Sequence, residues 1–536
     1  MSGLPQHYQQ RAEAFIKTVV CFDDKAEYRK PRSAKTATKG GDGFVTPPPA
    51  VMKAEVATLE DDAPTGDELD ARALTESFAQ KGILCSVIIP HATAEEVTTQ
   101  ITTLTKSADI TILDWKLGGV TPRDAIVRII EDDNASGGKL RLLVIYSDGV
   151  AKDVMTELAG VLRDHGFSFN ESTLELTGKH ARIVFFQKPN PSTPPTNVVP
   201  YEALPDHAVK EFTKLTSGLL PAAALAAITE IREQTHHLLA TFPATLDGAF
   251  LAHRCLIPDP NDAEQFLLDI FEGEIGSLLR HNGVGNSVNA ERCMDWVESL
   301  TSQPKEKIDK IKVFLSDYND DKKEEFRNFF SAKKLKEYEI SQRIMELMYG
   351  DIVANVDAGK IGLSLLATLD ACKRSKMKTL PRLQLGSLIK NKIDGNVKYL
   401  MCIQPLCDSV RIDHESGSSF PFIVLKIVDV GNVNSSIDVC IFDEESVVWL
   451  AAKTKPSNLE TKIFKGKSNK EKFVEAVKEE SDYFFCASSG EKYEWVGELK
   501  LGKAQRIASQ LAARIHTLGI DEFEWMRSRQ AEQKQN

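Results

Sequence analysis

Five apolar runs, separated by more polar stretches, dominate the first 190 residues. The runs cover residues 15–22, 83–89, 110–113, 140–146 and 181–187. Apolar runs of this length are typical of strands buried on both faces of a sheet. The stretches at 69–79, 93–107, 122–131 and 151–165 are typical of helices. This alternation predicts an α/β fold, a parallel sheet with helices on both faces. Residues 172–176 are a candidate for an extra edge strand.

The polar residues that end these runs form a second pattern. Asp23-Asp24 follows the first run, Asp114 the third, Ser147 the fourth and Lys188-Pro189 the fifth. In open parallel sheets, ligands bind beyond the carboxyl ends of the strands. An Asp after a strand is usually a turn former or a helix N-cap, so Asp114 alone indicates little. Four strand ends that carry acidic, hydroxyl and basic groups in this order favour a functional site.

With this order of acidic pair, Asp, hydroxyl and Lys-Pro, residues 15–189 resemble the receiver domain of two-component response regulators. The resemblance implies a CheY-like, or flavodoxin-like, doubly wound parallel sheet with strand order 2-1-3-4-5. It also implies that Asp114 is the phosphoacceptor, which takes a phosphoryl group from the phosphohistidine of a sensor histidine kinase and becomes an acyl phosphate.

The three carboxylates of such a site predict a bound cation. Asp23, Asp24 and Asp114 would repel one another unless a positive ion lay among them, and Mg²⁺ prefers oxygen ligands of this kind. The resemblance implies that the backbone carbonyl of Lys116 completes the ligand set. Lys188 is expected to pair with the phosphoryl oxygens as a positioned charge.

Two further residues are predicted to sense the phosphoryl group. By resemblance, the Ser147 hydroxyl turns toward the phosphate, and Phe185, three residues before Lys188, repacks into the space left. The Lys188–Pro189 peptide bond is predicted to be cis, an isomer that only an X-Pro bond adopts at modest cost.

The remaining chain predicts three further regions. Within a receiver domain at 1–190, residues 29–70 are rich in Lys, Thr, Gly and Pro and indicate a disordered insertion. Residues 191–202 are a Pro-rich linker. Residues 203–378 lack strand patterning and predict a helical domain, with helical stretches at 209–215, 222–239, 263–279, 337–348 and 363–372. Residues 379–536 predict a mostly β domain, a small barrel or sandwich closed by a helix at 504–516.

Composition narrows the class of protein. The net charge of −11 argues against a general nucleic-acid or membrane-surface binder, although the Lys-rich stretch at 305–336 leaves a local nucleic-acid contact open. No apolar run approaches the length of a transmembrane helix, and the N-terminus lacks a signal-peptide pattern. The nine cysteines are scattered, and several, such as Cys21, Cys85 and Cys486, lie in apolar runs. They predict reduced core residues of a cytoplasmic protein.

Other candidate chemistry has a simpler structural explanation. His236-His237, His253 and His281 lack metal-site spacing, and a turn around Asp408 accounts for Cys407 better than catalysis does. The region after the receiver contains no Walker A loop, GxSxG elbow or HExxH motif, and no basic helix-turn-helix. We therefore expect neither a separate catalytic domain nor a DNA-binding domain.

Two functional hypotheses follow. The whole chain resembles the receiver protein without effector in antiphage two-component (Detocs-type) operons of bacteria, where a kinase works with two receiver proteins. That resemblance implies a phosphate buffer, which drains phosphoryl groups away from a second receiver that carries a toxic effector. The alternative is an adaptor, in which phosphorylation releases the helical and β domains to bind a protein or a nucleic acid.

Overall fold

The computed structural model describes residues 5–28, 69–90, 93–189, 198–257, 262–299, 309, 356–373, 380–393, 395–428, 437–443, 446–469, 471–480 and 482–515. The chain divides into two compact units. The first holds Met1–Ala244 and Asp269–Ser302, and the second holds Thr245–Leu268 and the described residues from 356 onward.

The elements up to residue 299 are mainly those of an α/β domain followed by helices. The strands are β1 Thr18–Phe22, β2 Ala26–Glu27, β3 Leu69–Asp70, β4 Leu84–Ile88, β5 Ile110–Leu113, β6 Arg141–Ser147, β7 Ser168–Asn170, β8 Glu175–Thr177 and β9 Ala181–Gln187. The helices are α1 Gln6–Phe15, α2 Ala71–Ala79, α3 Ala94–Thr105, α4 Arg123–Ala135, α5 Ala151–Leu162, α6 Leu204–Leu215, α7 Leu219–Glu233, α8 Thr235–Ala240, α9 Asp247–Leu256, α10 Asp262–His281 and α11 Ala290–Ser299.

Seven strands form one sheet in the order β4-β1-β5-β6-β9-β8-β7. The first five are parallel, and β8 and β7 extend the sheet beyond β9 as an antiparallel hairpin. The candidate edge strand at 172–176 is therefore present as Glu175–Thr177, and its partner β7 is an addition that the apolar pattern did not predict. The α/β parallel sheet predicted for the N-terminal part is confirmed.

Local sequence signals start the helices that cover this sheet. Asp70 caps α2 by accepting hydrogen bonds from the backbone N–H groups of Arg72 and Ala73. Thr93 and Glu96 form a capping box at α3. One sheet face is covered by α3, α4 and α5, and the other by α1, α2 and α6. Both faces are buried, which explains why the strands are continuous apolar runs.

The helix α6, which follows the predicted linker at 191–202, packs in the core of the parallel sheet. Leu204, Val209 and Phe212 of α6 are buried in the same core as the sheet, and the Glu211 carboxylate pairs with the nearly buried Arg182 of β9 at 2.9 Å. Val199, within the predicted linker, is buried and accepts a hydrogen bond from the Tyr146 hydroxyl. The apolar stripe of α6 must be covered, and the sheet face provides that cover.

Several predicted features lie wholly or mainly outside the described residues. They are the interior of the 29–70 insertion, residues 191–197 of the linker, most of the Lys-rich stretch at 305–336 and the helical stretch at 337–348. The two ends of the insertion are described, and they meet as the short parallel pair of β2 and β3. The insertion thus leaves and re-enters the domain at one place.

The second unit contains a sheet of nine antiparallel strands. They are β10 Ser387–Ile393, β11 Asn396–Cys402, β12 Ser418–Ile427, β13 Val439–Asp443, β14 Ser446–Ala452, β15 Leu459–Phe464, β16 Val477–Glu479, β17 Asp482–Cys486 and β18 Lys492–Glu498. Its helices after residue 355 are α12 Val356–Ala371, α13 Leu406–Ser409 and α14 Leu501–Ile515. Two apolar cores flank the sheet. This arrangement is consistent with the predicted helical middle and mostly β C-terminal regions.

The cysteines agree only in part with the prediction. All nine are free, and Cys21, Cys402 and Cys440 are buried. The expectation that Cys486 is a core residue is wrong, because it is exposed at the end of β17. Successive strand residues point to opposite faces, and Phe485 occupies the core position instead.

In the described parts of the chain, no single helix has the length and apolarity to cross a membrane, although the bent pair Tyr201–Leu215 and Leu219–Glu233 passes that test together.

The assignment of α6 to the receiver core predicts the effect of a core truncation. Phe212 is 1% exposed and its ring stacks on that of Phe15, so Phe212→Ala should destabilise the first unit by about 3–5 kcal/mol. Hydrogen exchange should accelerate in peptides from β6 and β9. The matched control is Leu220→Ala, since Leu220 is 58% exposed. Unchanged protection of the two strands in Phe212→Ala would show that α6 belongs to another domain.

Candidate functional site

The parallel register brings the predicted polar residues to one edge of the sheet. Phe22 pairs with Leu113, Leu113 with Ile145, and Ser147 with Gln187. Backbone hydrogen bonds continue just past these strand ends, from Asp114 N to Phe22 O at 2.9 Å and from Lys188 N to Ser147 O at 3.0 Å. The residues that follow the four strands therefore lie side by side.

Three carboxylates converge at this edge. Carboxylate oxygens of Asp23, Asp24 and Asp114 lie within 4.8 Å of one another, and no other group of metal-ligating side chains was found in the described parts of the chain. Asp23 is fully buried and Asp114 is 5% exposed. Burial raises the pKa of Asp23, and the Asp114 charge adds to this, while Lys188 opposes it.

Lys188 lies between two of these carboxylates. Its ammonium group is 2.5 Å from Asp23 Oδ2 and 2.5 Å from Asp114 Oδ2, and its side chain is 3% exposed. Burial alone would lower the pKa of Lys188, but the charges of Asp114 and Asp23 outweigh burial and raise the pKa above its usual value. The lysine is therefore held in its charged form.

Ser147 reaches the other oxygen of Asp114. Its buried hydroxyl donates to Asp114 Oδ1 at 2.6 Å. The backbone N–H of Lys116 makes a longer contact of 3.4 Å with the same oxygen. Phe185, the other predicted switch residue, is buried on β9 and packs in the core shared with α3, α4 and α5. Both oxygens of Asp114 thus have donors.

Two backbone N–H groups orient the acidic pair. The sequence pattern did not indicate these donors. The N–H of Lys25 donates to Asp23 Oδ1, and the N–H of Gly118 donates to Asp24 Oδ2, each at 2.9 Å. Gly118 lies in a tight turn with φ values of 61° and 88° at Gly118 and Gly119. Glycine adopts this left-handed backbone without strain. A Gly-Gly pair shortly after a strand-end Asp was the available signal for this donor.

Two charged side chains flank the mouth of the site. The Lys116 ammonium lies 3.8 Å from Asp148 Oδ1, and the Lys116 side chain is 65% exposed. An exposed pair of this kind contributes little to stability. Its position matters more, because Lys116 and Asp148 closely follow Asp114 and Ser147 in the chain.

One site prediction is wrong. The Lys188–Pro189 bond is trans, since the described residues contain no cis peptide bond. The trans isomer is intrinsically favoured even for X-Pro bonds, and with it the Lys188 side chain already reaches both carboxylates.

The residues present fit a divalent cation. Three carboxylates and one ammonium group leave a formal surplus of negative charge in a largely buried cluster. In addition, Asp24 Oδ1 is buried and has no hydrogen-bond partner within the described part of the chain, and such an atom is costly unless a ligand satisfies it. Carboxylate oxygens suit Mg²⁺. Of the four predicted ligands, the structure brings the three side chains together.

The comparisons with known proteins agree with this geometry for the N-terminal part. No curated protein and no solved structure matches the chain. Residues 15–193, one third of the 536 residues, match the family model described as a response receiver domain. Receiver domains bind Mg²⁺ through an acidic aspartate cluster of the kind formed here by Asp23, Asp24 and Asp114. Residues 15–193 are therefore a response receiver domain.

Proposed function

We propose that the protein accepts a phosphoryl group on Asp114 from a partner histidine kinase and returns it to water as a phosphate sink. The observation that carries the proposal is the setting of Asp114, whose two oxygens contact Lys188 and Ser147 at the carboxyl edge of the sheet. In the forward step, a carboxylate oxygen of Asp114 attacks phosphorus. The P–N bond to the kinase histidine breaks, and the imidazole leaves with the bonding electron pair.

The side chains around Asp114 have separate roles in that step. Lys188, charged and within 2.5 Å of Asp114, supplies positive charge to the arriving phosphoryl oxygens. The Ser147 hydroxyl, now bonded to Asp114, can donate to one of those oxygens instead. When bound by Asp23, Asp24, Asp114 and the backbone carbonyl of Lys116, Mg²⁺ would neutralise further phosphoryl charge.

The position of the two switch residues supports a sink rather than a relay. Ser147 already points at Asp114 and Phe185 is already buried, so in a sink phosphorylation would need only to redirect the Ser147 hydroxyl to a phosphoryl oxygen. A receiver that changes little on phosphorylation has a weak structural signal to pass on.

The cellular setting of the proposal rests on the resemblance in chain architecture. We place the protein in the bacterial cytoplasm, in an antiphage two-component system. There it would share its sensor kinase with a second receiver protein that carries a toxic effector. Draining stray phosphoryl groups would keep that effector silent in uninfected cells.

A phosphorylation-controlled adaptor is the second candidate, and the construction of the second unit favours it. That unit has two cores of its own, and the nearly buried Lys390 is paired with Asp443 at 2.6 Å and with Glu494 at 2.9 Å. Phosphate storage at Asp114 alone does not require a folded β domain with a buried ion cluster. In the adaptor, this unit would bind the partner macromolecule.

The first prediction concerns the acceptor. Asp114→Asn should abolish labelling by acetyl phosphate, because the amide is a poor nucleophile and lacks the charge that pairs with Lys188. Chelation of Mg²⁺ should have the same effect on the wild type. Asp124→Asn is the matched control, since Asp124 lies on α4 and its exposed carboxylate pairs with the neighbouring Arg123. Undiminished labelling of Asp114→Asn would refute the phosphoacceptor assignment.

The second prediction concerns the switch. Ser147→Ala should leave Asp114 phosphorylatable while reducing any change in hydrogen exchange that phosphorylation causes in α5 and β9. The loss of one donor to the phosphoryl group is the physical reason. Ser172→Ala, on the exposed β7–β8 turn, controls for loss of a hydroxyl. Identical exchange in phosphorylated Ser147→Ala and phosphorylated wild type would exclude Ser147 from the coupling.

The third prediction tests the sink directly. Added to the kinase and a second receiver protein, this chain should lower the phosphorylation of the second receiver while inorganic phosphate accumulates. Asp114→Asn should remove the competition. In cells that contain the toxic partner, it should cause sickness without infection. A phosphoform that persists for many hours, with a harmless Asp114→Asn variant, would favour the adaptor.

The same assay separates two roles for Asp148. If its carboxylate orients the attacking water, Asp148→Asn should slow the loss of phosphate from Asp114. If it crowds the phosphoryl group, the loss of that charge should change the rate in the opposite direction. Lys116→Ala is the companion variant, because Lys116 is the ionic partner of Asp148.

A further inference from the structure

A second polar cavity lies in the first unit and shares no residue with the Asp114 site. It has a volume of about 260 Å³ and lies among α1, α7, α11 and the short helical turn Val284–Val288. Its polar lining consists of His7, Gln10, Arg11, Ser287 and Arg292. All five are hydrogen-bond donors in at least one protonation state, and no carboxylate is among them.

Two of these side chains carry polar atoms that have no partner. Ser287 is 7% exposed, and its hydroxyl oxygen makes no hydrogen bond to any residue that the structure describes. His7 Nε2 is also buried and has no hydrogen-bond partner among those residues. Buried polar groups in folded proteins are nearly always bonded to protein, water or a ligand. Two such atoms at one cavity therefore make it a candidate ligand site.

The charged groups of the lining indicate which class of ligand would fit the cavity. Arg11 forms no ion pair with any described residue. Arg292 donates through one terminal nitrogen to Asp295 Oδ2 at 3.0 Å, and His7 Nδ1 lies 3.2 Å from the same oxygen. Asp295 therefore neutralises at most one of the two guanidinium groups. Glu291 adds a second negative charge near His7, so it is the uncommitted N–H donors of Arg11 and Arg292, rather than net charge, that favour an anion.

We propose that this cavity binds a phosphate-type oxyanion, either as inorganic phosphate or as the phosphate group of a small organic ester. Arg11 and Arg292 supply charged donors, and the Ser287 hydroxyl supplies the buried neutral donor. The volume admits a phosphate with a few further atoms and is below the size of most drug-like ligand pockets. This site stands independently of phosphoryl transfer at Asp114.

His7 links anion binding to proton uptake. With Nδ1–H donated to Asp295, neutral His7 presents Nε2 as an acceptor, and protonation turns it into a donor toward an anion. In the free protein, burial lowers the pKa of His7, as do Arg292 and Arg11, while Asp295 and Glu291 act in the opposite direction. A bound anion would raise that pKa, so the affinity for an anion of fixed charge should increase as the pH falls through the His7 pKa.

The experiment is a calorimetric titration of the full chain with inorganic phosphate, sulfate and glycerol 3-phosphate. It is done with a chelator and in the Asp114→Asn background, so that the acidic site cannot contribute. Tighter binding of the ester than of inorganic phosphate would indicate an organic ligand, and the reverse would indicate the free ion. Sulfate keeps its charge near neutral pH and should bind more tightly at about pH 6 than at about pH 8.

Variants separate the cavity from adventitious binding. Arg11→Ala and Ser287→Ala should each weaken phosphate binding, by about tenfold or more for the arginine. Arg11→Lys should recover part of the loss by restoring the charge. Arg506→Ala is the charge-matched control, since Arg506 is exposed on α14 in the other unit, and it should change nothing. The proposal is overturned if none of the three anions binds, or if Arg11→Ala and Ser287→Ala bind phosphate as the parent does.

Discussion

The burial of two carboxylates around a single ammonium group, with a third carboxylate beside them, is the constraint on which the receiver unit depends. Lys188 contacts Asp23 and Asp114 at 2.5 Å each, and all three side chains are almost removed from solvent. Buried charges are tolerated only when they are paired and hydrogen-bonded. The four strands that carry the site must therefore end at the same level. A parallel register satisfies that requirement because the carboxyl ends of all its strands meet at one edge.

This constraint also connects stability to function. Lys188 cannot neutralise all three carboxylates, and the orphaned Asp24 Oδ1 marks where the deficit remains. A cation at this point would relieve the repulsion, and a phosphoryl group on Asp114 would give Lys188 and Ser147 a new partner. The folded protein thus carries an electrostatic strain that its proposed ligands remove. Local charge imbalance of this kind is common at functional sites.

Local pattern predicted the parallel sheet more fully than the packing of the helices. The apolar runs that precede Asp23, Asp114, Ser147 and Lys188 have the length and composition of buried strands, so the parallel sheet and its polar edge could be predicted from them. The place of α6 did not follow. A Pro-rich stretch separates α6 from β9 in the chain, and only the packing of Phe212 against the sheet face shows that it belongs there.

Features built from distant segments were also beyond local pattern. The Gly118 N–H that holds Asp24 is separated from it by 94 positions, although the Gly-Gly pair offered a hint. The polar cavity combines residues of α1 with Ser287 and Arg292. The two groups lie far apart in the sequence and share no motif. The other two wrong predictions have local causes, because trans is the intrinsically favoured isomer at Lys188–Pro189 and the alternation of β17 leaves Cys486 exposed.

The most direct test of the central claim is to identify the phosphorylated residue chemically. The protein is incubated with acetyl phosphate and Mg²⁺, and borohydride then reduces the acyl phosphate to an alcohol, which converts aspartate into homoserine. Peptide mass spectrometry locates that homoserine. We expect homoserine at position 114 and nowhere else, and no homoserine when Mg²⁺ is withheld. Homoserine at Asp23 or Asp24, or an unmodified Asp114 under phosphorylating conditions, would contradict it.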